Sequence, residues 1–455
     1  MRFDDAILHP HPAQRAAIVA VLEAALAAVD PVLATQAVLT RTGDLLQLAD
    51  QSYDLRQVRN VYVLGAGKAG APMAQAVEAC LGDRITDGLV VVKTGHSAPT
   101  AHIPLAEASH PRPDDAGVAA GARILALAQQ AGPEDLVIVL LSGGGSALLV
   151  APAPGLTLHD LQTMTDALLA SGATINEVNC LRKHCEVLKG GQLARAVAPA
   201  HLITLALSDV VGSPLDVIAS GPTVPDATTW EDAWAIVRRY HLADKLPPAI
   251  LARLAAGRAG EIPDTPKAGD PAFARTTTLI VGDNRVAAQA AAHAAQDQGY
   301  HPLLLTTFLQ GEAAQVAQVA VALGREVQSS GTPVPTPACI ILGGETTVTL
   351  GTQPGHGGRN QELALAAALA LQDNPAITVV SLATDGTDGP TDSAGGIGDG
   401  GTVARGHAQG LDAEDHLRRH DAYPFLQATD DLLLTGPTQT NVNDLVLVFV
   451  HADSA

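Results

Sequence analysis

Short, near-continuous runs of Val, Leu and Ile recur along this chain, and each leads into a segment with helical spacing. NVYVLG (60–65) precedes KAGAPMAQAVEACL, and GLVVVK (88–93) precedes GVAAGARILALAQQA (117–131). DLVIVLLS (135–142) leads to TLHDLQTMTDALLASG (157–172) and INEVNCLRKHCEVLKGGQLARAV (175–197), and HLITLALSDV (201–210) returns to strand. Strands that are apolar throughout are buried on both faces. Their alternation with helices predicts a doubly wound α/β architecture around a parallel sheet. The Ala- and Leu-rich segment at 13–29 adds a helix ahead of the first strand.

A chain of 455 residues exceeds one ordinary core. The Pro-, Ala- and Gly-rich stretch at 246–275 reads as a connector. A second α/β series follows, opening with TTTLIVGD (276–283) and running through YHPLLLTT, CIILGGETTVTL (339–350), RNQELALAAALALQD, AITVVSLATDG and a Gly/Asp-rich loop to 401, then ending on DLVLVFV (444–450). The expected division is a Rossmann-like N-terminal domain over 1–245 and a C-terminal α/β domain over 246–455.

A net charge of -20 argues against nucleic acid and anionic membranes as partners. The most apolar stretch, LVIVLLSGGGSALLV, is broken by three glycines and too short to span a bilayer. The first residues carry early acids and no apolar run, so no secretory signal is expected. Cys80, Cys180, Cys185 and Cys339 fit neither a zinc ribbon nor a C-x-x-C pair and read as reduced core thiols of a cytoplasmic protein.

Two glycine-rich loops stand where a strand gives way to a helix: LGAGKAG (64–70) and LLSGGGSALL (140–149). Such junctions aim amides and a helix dipole at one spot and suit an anion, most often phosphate. Gly65, Gly67 and Gly70 spell the dinucleotide fingerprint, but Lys93 stands where the ribose-binding acid belongs, and Lys68 projects from inside the loop. The loop therefore reads as a dinucleotide cradle, a packing turn, or a lysine displayed to an anionic substrate. In the second loop, which is no Walker A motif, Gly143, Gly144 and Gly145 allow close approach of a phosphate, and Ser142 and Ser146 add hydroxyls. Asp209 ends a buried strand, where doubly wound sheets bind ligands. It is a candidate base or metal ligand, or a turn cap.

Three polar clusters mark the C-terminal half: GGETTVTL with Glu345, GHGGRNQE with His356, Arg359 and Glu362, and ATDGTDGPTDSAGG with Asp385, Asp388 and Asp392. Arg359 is placed to clamp a phosphate or carboxylate. The Asp-rich loop offers hard oxygens to Mg²⁺, or is a set of solvated Asx turns. Arg182, Lys183 and Lys189 read as a solvated helix face, with substrate steering as the alternative.

In this order GAGKAG, EASHPRPDDAG, LLSGGGSALL, NCLRKHCEVLKGGQLA, ALSDVVG, IASGPTVPD, GGETTVTL, GGRNQE, ATDGTDGPTD and LTGPTQTNVNDL resemble the glycerate 2-kinase family with a MOFRL-type C-terminal domain, over nearly the whole chain. The resemblance implies two α/β domains around an interdomain cleft that holds the active site, the second with a mixed sheet and a core at about 337–450. It implies transfer of the ATP γ-phosphoryl to the 2-hydroxyl of D-glycerate, with ATP and Mg²⁺ as cofactors, no P-loop, and a monomer or homodimer. It supports Lys68, Asp209 and Arg359 as functional; from residue chemistry we read these three as catalytic, Ser142–Ser146 as the phosphate loop, Gly67, Lys68, Glu345 and Arg359 as substrate-binding, and Asp209 with Asp385 as metal ligands. Two departures stand out: Ser213 replaces an acidic residue, and Cys185 and Glu186 replace the more usual Leu and Ser. Relatives labelled hydroxypyruvate reductase make a nicotinamide-dependent reductase the rival enzyme. A non-catalytic hydroxy-acid sensor is the rival of another class.

Overall fold

The computed structural model describes residues 3–452. They form two compact units: Pro31–Val281 is one, and the residues up to Asp30 together with those from Gly282 onward are the other.

In the first unit a small antiparallel meander of β1 (Leu39–Thr42), β2 (Leu45–Leu48) and β3 (Gln51–Asp54) precedes the main sheet. The main sheet comprises β4 (Val61–Ala66), β5 (Asp87–Lys93), β6 (Leu105–Ala108), β7 (Leu136–Leu141), β8 (His201–Leu207) and β9 (Thr276–Gly282), in spatial order β6-β5-β4-β7-β8-β9. Relative to β4 this is the doubly wound order 3-2-1-4-5-6, with the topological switch between β4 and β7. Both strands are buried along their whole length. They pair in parallel with Ala66 opposite Leu141, so the two glycine loops leave the sheet side by side. Gly65 is required here, because a Cβ would lie 2.4 Å from the Leu140 carbonyl oxygen.

The second unit holds a mixed sheet of β10 (His301–Leu309), β11 (Ala338–Gly344), β12 (Ile377–Ala383), β13 (Gly395–Asp399), β14 (Leu432–Leu433) and β15 (Asp444–Val450), ordered β10-β11-β15-β12-β13-β14. Only β10 and β11 run parallel. The last strand, β15, lies between β11 and β12, antiparallel to both. Ile340, Leu342, Val379, Val446 and Val448 build one side of this core with the apolar faces of helices Ala313–Ser330 and Arg359–Ala370.

The units differ from the expected 245/246 division at both ends. Helix Pro248–Arg258 buries Ile250 and Leu254 in the first unit's core beside Trp230 and Met164, and TTTLIVG becomes that unit's sixth strand rather than the start of a new sheet. Helix Pro12–Ala28 belongs to the second unit, where Arg15, 1% exposed, pairs with Asp399 (2.7 Å) and Asp431 (2.5 Å). Removing one member of such a buried network costs about 3–5 kcal/mol. The Gly/Asp-rich stretch to 401 also contains β13, which sequence reading took for loop. Its glycines serve close packing: a Cβ on Gly398 would meet the Ala364 carbonyl oxygen at 2.3 Å.

Candidate active site

At the switch point the first loop spends its backbone amides on the protein itself. Gly67 N–H donates to the Val91 carbonyl (3.0 Å), Lys68 N–H to the Gly143 carbonyl (2.8 Å), and Gly70 N–H to Gly67 (3.0 Å). Ala69 N–H donates to the Ser142 hydroxyl (3.0 Å). Gly67, at φ 148°, lies so close to Ser142 that a Cβ would stand 2.0 Å from Oγ. The fingerprint glycines thus lock one loop to the other instead of cradling a pyrophosphate. What the loop presents is the half-buried Lys68 side chain, which makes no ion pair among the described residues.

The second loop is shaped by its neighbours. A Cβ on Gly143 would lie 2.2 Å from Asp209 Oδ2, so the carboxylate just beyond β8 rests directly on this glycine. Gly144 adopts the left-handed conformation (φ 84°), and its open side faces the His110 ring and the Lys68 Cγ. Among the described residues the amides of Gly143 and Gly144 reach no backbone carbonyl. Ser146 exchanges a hydrogen bond with Ser220 (2.9 Å), whose hydroxyl donates to Asn179 Oδ1 (3.0 Å). These groups enclose a cavity of about 260 Å³ lined by His110, Ser142, Gly144, Ser146, Arg182 and Asp209.

The site is locally cationic within an acidic protein. Burial, with Lys68, Lys93 and His96 nearby, pushes the His110 imidazole down to about 4. His96 is lowered by burial and by Lys93, and it bonds the Lys68 backbone. At neutral pH the His110 ring is uncharged, and the lysines and Arg182 supply the positive field.

Sequence reasoning passed over His96, His110, Asn179 and Ser220. The HPRP turn and the NCLRKH helix were visible as motifs, but only the fold turns those side chains toward the loop. It also misread Lys183 and Lys189, which are 2% and 0% exposed rather than solvated. Lys183 pairs with Asp226 (3.1 Å). Lys189 donates to Glu186 (2.7 Å) and to the Leu149 carbonyl (2.6 Å), behind the short helix Gly145–Leu148. Glu186 also accepts from Ala151 N–H (3.3 Å), so this departure from the family pattern anchors the loop's far end. Cys185 beside it is fully buried, its thiol pushed up to about 12 by burial.

In the second unit Arg359 opens helix Arg359–Ala370 after Gly358. Its guanidinium grips Asp444 with both ends of the fork (Nε to Oδ2 2.5 Å, Nη2 to Oδ1 2.9 Å) and reaches Glu345 Oε1 through Nη1 (3.0 Å). Burial opposes its charge, but the bonds and field of Asp444 raise its pKa overall. Asn443 donates to the other Glu345 oxygen (3.1 Å). Asp388 is buried at the same helix start, where it accepts from Gln361 N–H (2.9 Å), and burial pushes its carboxyl up to about 6. Asp385 accepts from Thr387 N–H (3.1 Å), the Asx-turn alternative for this loop. Lys68, Ser142–Ser146 and Asp209 therefore meet in one unit, and Arg359 meets Glu345 in the other.

Residues 17–255 match a family described as a domain of unknown function (DUF4147), and residues 338–444 match the MOFRL family. A protein of Agrobacterium vitis, provisionally named a hydroxypyruvate reductase, is 45% identical over 85% of this chain and 86% of its own length. A glycerate 2-kinase of Pyrococcus horikoshii is 38% identical over 94% of this chain and 95% of its own. The crystal structure of a glycerate kinase from Thermotoga maritima superposes with a TM-score of 0.85 at 37% identity, covering 96% of this chain and 99% of that one.

Proposed function

The chain belongs to the glycerate 2-kinase family, and we infer from its site that it transfers the γ-phosphoryl group of ATP to the 2-hydroxyl of D-glycerate, giving 2-phosphoglycerate and ADP. The observation that favours this over the reductase reading is the spent fingerprint: the amides of Gly67, Lys68, Ala69 and Gly70 are all bonded within the protein. A nicotinamide pyrophosphate would need those amides.

Phosphoryl transfer depends on positioning and charge neutralisation more than on covalent help from the protein. Asp209, resting on Gly143, takes the proton of the attacking 2-hydroxyl as its oxygen bonds the γ-phosphorus and the bond to the β-phosphate oxygen breaks. Lys68 and the Gly143–Gly144 amides hold the phosphoryl oxygens. Arg359, with Glu345, is a second substrate-binding pair, and its fixed orientation on Asp444 keeps the remaining guanidinium edge in one place.

Magnesium fits this donor set as a companion of the nucleotide. Among the described residues no group of three or more His, Cys, Asp or Glu side chains is arranged to hold a metal. Mg²⁺ commonly needs one or two protein carboxylates with phosphates and water. Asp209 is the carboxylate at the loop, and Asp385 is a weaker candidate because its own turn engages it. The ion would neutralise phosphate charge.

The test is purified protein with D-glycerate, ATP and Mg²⁺, measuring ADP release and assigning the phosphorylated carbon by phosphorus–proton NMR. ADP at background, together with hydroxypyruvate-dependent NADH oxidation at enzymatic rates, would overturn the kinase reading.

A further inference from the structure

Arg182 is a cation beside the second glycine loop that has no protein partner among the described residues. It lies on helix Ile175–Cys185, whose start is fixed by a capping box in which Thr174 accepts from Glu177 N–H and Glu177 reaches back. Its neighbours are all engaged: Lys183 by Asp226 (3.1 Å), His184 by Asp264 (3.0 Å), and Lys189 by Glu186 (2.7 Å). Among the described residues the Arg182 guanidinium makes no hydrogen bond and no ion pair. The carboxylate whose field it feels, Glu186, is bonded to Lys189 and Ala151. Arginine cannot shed its charge, so burial works against this group and only the field of Glu186 offsets it.

Its position supplies the reason. Arg182 follows Asn179 by three residues, so the two share a helix face. Both line the 260 Å³ cavity with Ser142, Gly144, Ser146 and Asp209. A half-buried planar fork of donors, unpaired and facing a loop of glycines and serines, fits the oxygens of a phosphate or a carboxylate.

We propose that Arg182 is a substrate-binding residue that grips an anionic oxygen group of one of the two substrates. The source is either the nucleotide's phosphates or the carboxylate of the hydroxy acid. The proposal deepens the kinase reading and rests on it for the identity of the ligands. A purely structural role is the alternative, since a cation in the last turn of a helix offsets the macrodipole.

The experiment compares wild type with Arg182→Met and Arg182→Lys. It measures KM for ATP and for D-glycerate separately, calorimetric affinity for ADP and for D-glycerate, and a thermal melt. One KM should rise at least tenfold in Arg182→Met, on the scale of one charge-assisted hydrogen bond. The substrate affected names the source, and Arg182→Lys should recover only part of the loss. Should Arg182→Met fail to fold, the Lys variant still decides, because a dipole role is satisfied by any cation whereas a fork is not. Unchanged KM values and affinities within twofold, or full recovery by lysine, would overturn the proposal. Wild type that binds both ligands through Arg182 but forms no ADP would sink the kinase reading and leave this inference standing.

Discussion

Gly143→Ala should slow the enzyme without unfolding it. The backbone at Gly143 lies outside the left-handed region, so alanine is conformationally acceptable there. The nearest atoms the added methyl would meet all belong to the Asp209 side chain: Oδ2 at 2.2 Å, Cγ at 2.8 Å and Cβ at 3.5 Å. Ordinary contact is about 3.5 Å, so the carboxylate must retreat by roughly 1.3 Å. Asp209 is only half-buried, so the retreat opens toward solvent rather than into the packed core. For the reaction it is expensive, because a displacement of about 1 Å at a reacting group can lower the rate on the order of a hundredfold. We therefore expect kcat to fall about 100-fold, equivalent to about 2.7 kcal/mol in the barrier. The melting temperature should shift by less than about 4 °C, since any loss is countered by the lower chain entropy of alanine. Steady-state ADP release with D-glycerate and ATP, beside a thermal melt, reads both quantities. Gly351→Ala is the control, because nothing lies within 4 Å of its added Cβ, and it should behave as wild type. A folded Gly143→Ala protein with kcat within threefold of wild type would refute the placement of Asp209 in the chemistry.

Lys68→Ala should lower phosphoryl transfer by about a hundredfold, the usual scale for one preorganised electrostatic donor, with little change in the melt. A folded variant with near-normal ADP release would return GAGKAG to a packing role. Arg359→Lys keeps the charge but cannot span both Asp444 oxygens and Glu345, so kcat/KM should drop about tenfold or more. Wild-type kinetics in that variant would remove Arg359 from the site. Burial holds His451 at about 4 in the fold against 6.5 when free, so its neutral form is favoured there. The stability this gives is complete above pH 6.5 and fades as pH falls through 4, by up to about 3 kcal/mol. NMR titration of its ring should show no protonation above pH 5, and a midpoint near 6.5 would contradict its buried bonds to Tyr300 and Thr378.

The α/β rhythm was legible because strands buried on both faces write themselves as unbroken Val/Leu/Ile runs, as in β4 and β7. Which sheet a strand joins is not written in its own residues. TTTLIVG would look the same in either unit, and it is the Leu202 amide bonding to the Arg275 carbonyl that ties this segment to the first. The placement of helix Pro12–Ala28 was equally hidden, since Arg15 finds its carboxylates 384 and 416 residues away. Lys183 looked solvated for the same reason, its partner Asp226 lying 43 positions on. In the site, Lys68, Asp209 and the SGGGS loop could be read because glycine loops and strand-end acids carry a mechanism in sequence. That the fingerprint amides are already spent could not, because the acceptors Val91, Ser142 and Gly143 come from other elements.

The pairing of the cations separates structure from chemistry in this chain. With a net charge of -20, carboxylates are plentiful, and Arg15, Lys183, Lys189 and Arg405 each hold at least one in the interior. Lys68, Lys93 and Arg182, all near the two glycine loops, form no ion pair among the described residues. Three unpaired cations gathered beside these loops concentrate there the field that an anionic substrate meets. Arg359 differs from these three, since Asp444 and Glu345 already satisfy most of its donors. Losing Lys68 should therefore appear almost wholly in turnover. Losing Arg359 should appear in turnover and in stability together, because it strands the buried Asp444 without its counter-charge. A melt of Arg359→Ala that matches wild type would show that Asp444 does not depend on this pairing, and would undo the distinction.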